Sequence, residues 1–280
     1  MIKIDNEIIK IEKFPDGTPR INIDVNNITE ESYDGSKFII ITWLYENDAE
    51  MFYLLLVNRH LERFFTNIDY YLYLPYVPNA RMDRTKANDE VFTLKYFCDF
   101  INWLKFSAVY VLDAHSDVSV ALINNCINEN PKTYIDNALT LIANNDTILY
   151  FPDAGAAKRY SGLFPEIPYC YGEKNRDWKT GKILGLNVRT NGIELKGKDI
   201  LIIDDICSYG GSIFYSAKAL KEFGVNKIYA YATHTENSVL DHEKGTLIKS
   251  LEDGTVECLF TTNSLFTGKH DKITVMEALK

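Results

Sequence analysis

The residues best suited to chemistry lie in one stretch, Ile200-Leu201-Ile202-Ile203-Asp204-Asp205-Ile206-Cys207-Ser208-Tyr209-Gly210-Gly211-Ser212. Its apolar start, Asp199 to Ile203, reads as a buried strand that delivers two carboxylates to its exposed end. Two glycines permit close backbone approach and unusual φ values. Ser212 opens a helix whose free N–H groups make an anion site. Acids for hydroxyls and amides for a phosphate suit a phosphorylated sugar. The same pattern also serves as an acidic strand-to-helix turn with an ordinary cap. No Gly-Lys-Ser/Thr follows, so this is not the phosphate loop of nucleoside triphosphatases.

Other candidates are spread along the chain. In Asp113-Ala114-His115-Ser116, the histidine could ligate a metal, act as a base or hydrogen-bond in a core. Pro152-Asp153-Ala154-Gly155-Ala156-Ala157-Lys158-Arg159 reads as a turn and helix start beside a phosphate or Mg²⁺, or as a helix with a solvated basic face. Lys174-Asn175-Arg176 sits in a polar stretch from Tyr171 to Lys182. That stretch is either a solvated loop or a mobile flap bringing cations onto a triphosphate, where stabilising phosphoryl charge is the main task. Arg81, Asp83, Arg84 and Lys86 concentrate charge in a loop from Val77 to about Asn88.

These residues need a scaffold, and the apolar runs outline it. Strands are expected at Phe38–Trp43, over Asp69–Tyr76 up to its prolines, and at Ala108–Leu112, Thr147–Phe151, Asp199–Ile203 and Lys227–Ala232. Met51–Leu61 reads as a strand running into a helix. Val91–Leu104 and Ile213–Phe223, the latter closed by Gly224, read as helices. Strands alternating with helices indicate an α/β fold with parallel sheets. Ligands of such sheets bind beyond the carboxyl ends of the strands. Asp113 with His115, Asp153, Asp204 with Asp205, and His234 all fall at expected strand ends.

Bulk properties narrow the function. The 280 residues suffice for one large or two ordinary domains, and 46% of them are hydrophobic. A net charge of −9 argues against a broad nucleic-acid-binding face but leaves room for local phosphate sites. Cys98, Cys126, Cys170, Cys207 and Cys258 are scattered, which argues against a zinc site or disulfide framework and fits a reducing compartment. No signal peptide or membrane span is expected, so no membrane partner is expected and a cytoplasmic protein is the default.

Taken in order, the segments from about Leu72 to Asn263 resemble ribose-phosphate pyrophosphokinases. Leu74-Pro75-Tyr76 with Ala80-Arg81-Met82-Asp83-Arg84 is similar to that family's ATP segment. Asp113-Ala114-His115-Ser116 is similar to its metal-site turn, and Pro152 to Arg159 to its Pro-Asp-Ala-Gly motif. Lys174-Asn175-Arg176 matches its Lys-x-Arg, and Asp204-Asp205 through Ser212 its phosphoribosyl loop. Thr233-His234 and Thr261-Thr262-Asn263-Ser264 also have counterparts.

The resemblance implies two phosphoribosyltransferase-like α/β domains, each a mainly parallel sheet flanked by helices. These would be 1–136 and 137–266, with 267–280 returning to the first. It implies a homo-oligomer, a dimer or hexamer, with Mg²⁺ as cofactor. It implies transfer of the diphosphate of ATP to the C1 hydroxyl of ribose 5-phosphate, with AMP leaving. Lys174 and Arg176 would be catalytic. Arg81, Asp83, Arg84 and His115 would face ATP, and His115 and Asp153 would position the metal. Asp204 and Asp205 would hold ribose hydroxyls, with Ser208, Tyr209, Gly210, Gly211 and Ser212 around the 5-phosphate.

The sequence departs from the family at Ser208 and Tyr209, where an acid and a threonine are usual, and at Met82, where glutamine is usual. A large aromatic at the phosphate end raises ADP-ribose as an alternative acceptor, giving ADP-ribose pyrophosphate for NAD synthesis. A plain phosphoribosyltransferase would need neither the Arg81–Arg84 segment nor Lys174 and Arg176. A non-catalytic regulatory relative would have lost those cations.

Overall fold

The computed structural model describes residues 1–33, 35–144, 146–176 and 183–278, with the side chains of 174–176 and 183–185 outside that description. The chain divides into two compact units, Met1–Asn130 and a second from Pro131 on. The division falls before the expected 136/137 boundary. Pro131 precedes helix Lys132–Ile142, whose Ile135 and Ala138 are buried in the second unit's core.

Unit 1 holds β1 Ile2–Ile4, β2 Glu7–Ile8, β3 Ile11–Lys13, β4 Pro19–Ile21, β5 Glu31–Tyr33, β6 Ser36–Trp43, β7 Asp69–Tyr73, β8 Ala108–Leu112 and β9 Cys126–Glu129. Its helices are α1 Ala49–Phe64, α2 Thr93–Trp103 and α3 Asp117–Leu122. The sheet order is β2-β1-β6-β7-β8-β9, with β5 also paired to β6 and β3–β4 a separate hairpin. β6 through β9 are parallel. Met51–Leu61 is helical throughout, contrary to the strand-to-helix reading. Leu54, Val57 and Leu61 recur at helical spacing and are buried against the sheet, a period that the run of apolar neighbours obscures.

Unit 2 holds α4 Lys132–Ile142, β10 Ile148–Phe151, α5 Ala154–Tyr160, β11 Tyr169–Arg176, β12 Ile183–Arg189, β13 Ile200–Cys207, α6 Gly211–Lys221, β14 Ile228–Thr235, α7 Leu247–Glu252, β15 Leu259–Thr262 and β16 Ile273–Met276. The order is β12-β11-β10-β13-β14-β15-β16. Every pair is parallel except β11 with β12. The segment containing Ile273–Met276 therefore extends the second sheet instead of returning to the first.

The sheet is covered on both faces, which is why its strands read as continuous apolar runs. With period 2, Ile148, Tyr150, Ile200 and Ile202 pack with Ile213, Ala217 and Leu220 of α6. Leu149, Phe151, Leu201 and Ile203 pack with Ile135 of α4 and with Ala157 and Tyr160 of α5.

The polar stretch Tyr171–Lys182 is not a plain loop. Its described part completes β11, which forms an antiparallel hairpin with β12. At Gly172 a Cβ would meet the Tyr150 hydroxyl at 2.6 Å and the Pro152 carbonyl at 2.8 Å, so the hairpin's approach depends on glycine. All five cysteines are free. Burial pushes the Cys98 and Cys170 thiols up to about 12, which leaves them as packing residues. Among the described residues no helix is long and apolar enough to cross a membrane.

Candidate active site

In the second sheet the chain steps outward from β10 to β11 in one direction and from β13 to β14 and β15 in the other. The crevice beyond the carboxyl ends of β10 and β13 is thus the topological switch point, the usual ligand site of an open parallel sheet. β10 ends at Phe151, followed by Pro152 and Asp153. β13 carries Asp204 and Asp205 within its last turn of pairing, not beyond it, because the ladder to β14 continues through Cys207.

The alternation that built the core also aims the two carboxylates. Asp205 continues the odd-numbered face toward α5, where Arg159 Nη1 donates to its Oδ2 at 2.8 Å. Asp204 continues the face toward α6 and, among the described residues, takes no comparable cation. Its Oδ1 accepts from the Asp205 N–H at 3.0 Å. Burial, and then the charges of Asp205 and Asp153, hold the Asp204 carboxyl well above the usual carboxylate range. Asp204 keeps some exposed surface, so solvent tempers that rise without reversing it. Asp153 caps α5: its Oδ1 accepts from the Ala156 N–H at 3.0 Å.

The loop from Ser208 to Ser212 is shaped by Gly210. Its φ is +83°, and a Cβ there would stand 2.1 Å from Leu247 Cβ, so any side chain is excluded on two counts. The carbonyl of Tyr209 accepts from Thr246 N–H at 2.8 Å and from Thr246 Oγ1 at 3.0 Å, which pins the loop to the start of α7. Among the described residues no side chain caps α6, an eleven-residue helix whose first N–H groups lack acceptors within the helix itself. Tyr209 is 39% exposed.

In unit 1, neighbouring parallel strands β7 and β8 bring two further candidates to one sheet edge. Pro75 accepts from the Leu112 N–H at 3.0 Å, which fixes the loop after β7 beside the turn after β8. The first loop presents exposed Arg81 and Arg84, with half-buried Asp83 accepting from Arg84 Nε at 3.1 Å. The second presents half-buried His115 after Asp113, whose φ is +47°. His115, Arg81, Asp83 and Arg84 thus share an edge of the first sheet. Asp153, Asp204, Asp205, Ser208, Tyr209, Gly210, Gly211 and Ser212 share an edge of the second. The side chains of Lys174 and Arg176 lie outside the described residues, although their backbones belong to β11.

His234 is not in the crevice. It is 2% exposed, and its Nδ1 lies 2.7 Å from Ser264 Oγ in a buried hydroxyl network that includes Thr262. Two residues gain weight from the structure. Arg159 neutralises Asp205, and Glu236, directly after β14, reaches the loop at Ser208. The strand-end rule could have singled out Glu236, since it follows Thr233-His234-Thr235 without a break. Among the described residues no group of three or more His, Cys, Asp or Glu side chains is placed to hold a metal by itself.

Comparison with known proteins supports this fold class. The phosphoribosyl transferase domain family model matches residues 156–255. The ribose-phosphate pyrophosphokinase of Saccharolobus solfataricus is 27% identical over 282 residues, covering 98% of this chain and 89% of that one. Its namesake from Thermococcus kodakarensis is 26% identical over 230 residues, covering 81% and 77%. The crystal structure of a phosphoribosylpyrophosphate synthetase from Mycobacterium smegmatis shares the fold, with a TM-score of 0.71 over 96% of this chain and 86% of that one at 18% identity.

Proposed function

Since the chain belongs to the ribose-phosphate pyrophosphokinase family, whose members are diphosphotransferases, we propose that it moves the β,γ-diphosphate of ATP to the C1 hydroxyl of ribose 5-phosphate, giving phosphoribosyl pyrophosphate and AMP. The observation that carries this reading is the switch-point crevice, where Asp204 and Asp205 stand beside the uncapped N-terminus of α6. Carboxylates accept hydrogen bonds from sugar hydroxyls, and helix N–H groups take a phosphate. Arg159 ties Asp205 down through an ion pair at 2.8 Å, so the acceptor meets a fixed side chain and not a mobile one.

The reaction needs little covalent participation by the protein. The acceptor's C1 oxygen attacks the β-phosphorus, the bond to the oxygen bridging the α-phosphorus breaks, AMP departs with that oxygen, and the C1 hydroxyl loses its proton. Positioning and charge stabilisation are then the protein's task. Arg81 and Arg84 are exposed cations suited to ATP phosphates. Lys174 and Arg176 are assigned to the transferring group by their motif.

Mg²⁺ typically keeps several waters and binds one or two carboxylates plus substrate phosphates. A hard oxygen donor such as Asp153, without a dedicated cluster of three, fits that habit. Asp153 in the second unit and His115 in the first would each be a ligand for such an ion by their motifs, and it would supply neutralisation of phosphate charge.

ADP-ribose is a second acceptor reading, favoured by the exposed ring of Tyr209 at the phosphate loop. An aromatic face there can stack on a base. Incubation with ATP, Mg²⁺ and each acceptor separates the readings by AMP release. Turnover of ribose 5-phosphate alone would remove the second, and no AMP with any ribose phosphate would remove both.

A further inference from the structure

Gly172 in β11 is a glycine for want of space and not for backbone freedom. Its φ is not positive, unlike that of Gly210. Pairing of β10 with β11 stops at Phe151 and Tyr171. Gly172 is therefore the first β11 residue past the end of β10, where the chain turns through Pro152 to Asp153. From there the described pairing of β11 is with β12, Gly172 with Val188 and Lys174 with Leu186. A Cβ on Gly172 would meet the Tyr150 hydroxyl oxygen at 2.6 Å, the Pro152 carbonyl oxygen at 2.8 Å and Leu186 Cδ1 at 2.9 Å. Of these, only the leucine tip can give way. Tyr150 is fully buried in a cluster with Ile202, Ile213 and Ala217, and the Pro152 carbonyl is backbone immediately before Asp153.

Resting on the reading that the chain is a diphosphotransferase and that Lys174 serves the transferring group, we propose that Gly172 is a positioning residue for that reaction. Its bare Cα lets the β11 backbone lie directly on the Tyr150 hydroxyl and the Pro152 carbonyl. This seat sets the height at which the strand crosses the Asp153 turn. Lys174 follows two residues later, about 7 Å along the strand. The backbone that carries the lysine and the turn that carries Asp153 are thus held at one spacing. Lifting the strand by part of a methyl group's thickness misplaces one against the other, and misplacement by about 1 Å can cost about 10²-fold in rate.

Alanine in a strand interior ordinarily tightens it relative to glycine, whereas a collision loosens it, so the sign of the change is diagnostic. In Gly172→Ala the amides of 173–176 should exchange hydrogen about tenfold faster, with those of β13 and α6 unchanged. The kcat should fall about tenfold or more, with the KM for ribose 5-phosphate unmoved. Adding Tyr150→Phe removes the nearest atom and should recover part of both losses. Slower or unchanged exchange at 173–176 overturns the proposal. So does faster exchange with kcat intact, or no recovery in the double variant. A Gly172→Ala chain that does not fold overturns it too, because the glycine would then hold the whole sheet together and not the strand's position over the turn. If the wild-type protein yields no AMP with any ribose phosphate, the diphosphotransfer reading fails instead, and exchange at 173–176 still decides whether Gly172 is the seat.

Discussion

Both units end a buried parallel strand in a turn that leads into a helix, yet the two turns use their backbone differently. β13 passes through Gly210, at φ +83°, into the eleven-residue α6, and among the described residues no side chain caps that helix. β8 passes through Asp113, at φ +47°, into the six-residue α3. There the turn's N–H groups are already taken: Asp113 donates to the Glu129 carbonyl at 2.8 Å and Ala114 to Asn128 Oδ1 at 3.0 Å. Among the described residues one turn gives its helix no side-chain cap, and the other gives its donors to the edge strand β9 and presents an imidazole. The charges follow the same division. The first sheet's edge carries exposed Arg81 and Arg84, and the second carries Asp153, Asp204 and Asp205. A triphosphate calls for the former set and sugar hydroxyls for the latter.

The comparison can be broken at several strengths. Lys174→Ala or Arg176→Ala should lower kcat by about 10²- to 10³-fold, or about 2.7–4 kcal/mol of barrier, while thermal unfolding is unchanged. A matching loss of stability would remove their catalytic assignment. Gly210→Ala combines a left-handed backbone with a collision at Leu247 and should cost about 3 kcal/mol of stability by calorimetry.

Arg159→Met should cost roughly 1–3 kcal/mol, because Asp205 loses an ion-pair partner while mostly buried. The 32% exposure of the Arg159 side chain limits the effect. Adding Asp205→Asn to that variant should recover part of the loss, and full additivity would deny the coupling.

Asp204→Asn should stabilise the protein near neutral pH. A carboxyl whose native pKa lies above its unfolded value binds its proton more tightly when folded, so its ionisation weakens the fold. The advantage of the variant should be absent below about pH 4 and grow as pH rises toward the native pKa. Melting curves at several pH values that run parallel would contradict it. The smallest effect is expected at Arg84, whose ion pair with Asp83 is exposed. Arg84→Ala should change stability by no more than about 0.5 kcal/mol and raise the KM for ATP.

Much of this was legible from residues in a row. The runs at Phe38–Trp43, Ala108–Leu112 and Ile200–Ile203 are strands in the structure because buried parallel strands need apolar residues on both faces. The glycine loop was legible because only glycine suits its backbone. Met51–Leu61 was misread because an amphipathic helix with a wide apolar face looks locally like a buried strand. His234 was grouped with the site because position at a strand end says nothing about which neighbours cover it. Here Ser264, thirty residues later, does so.

The amino-acid sequence alone determined the α/β class, the order of the motifs and the residue types able to handle phosphate and sugar, because periodicity and turn chemistry are local properties. The tertiary structure alone decided that Arg159 meets Asp205, that the Asp204 carboxylate accepts from the Asp205 N–H, and that Glu236 closes on Ser208. Those outcomes depend on strand order and on the alternation of faces across β10, β13 and β14. Pairing between segments far apart in the chain leaves no mark on either segment by itself.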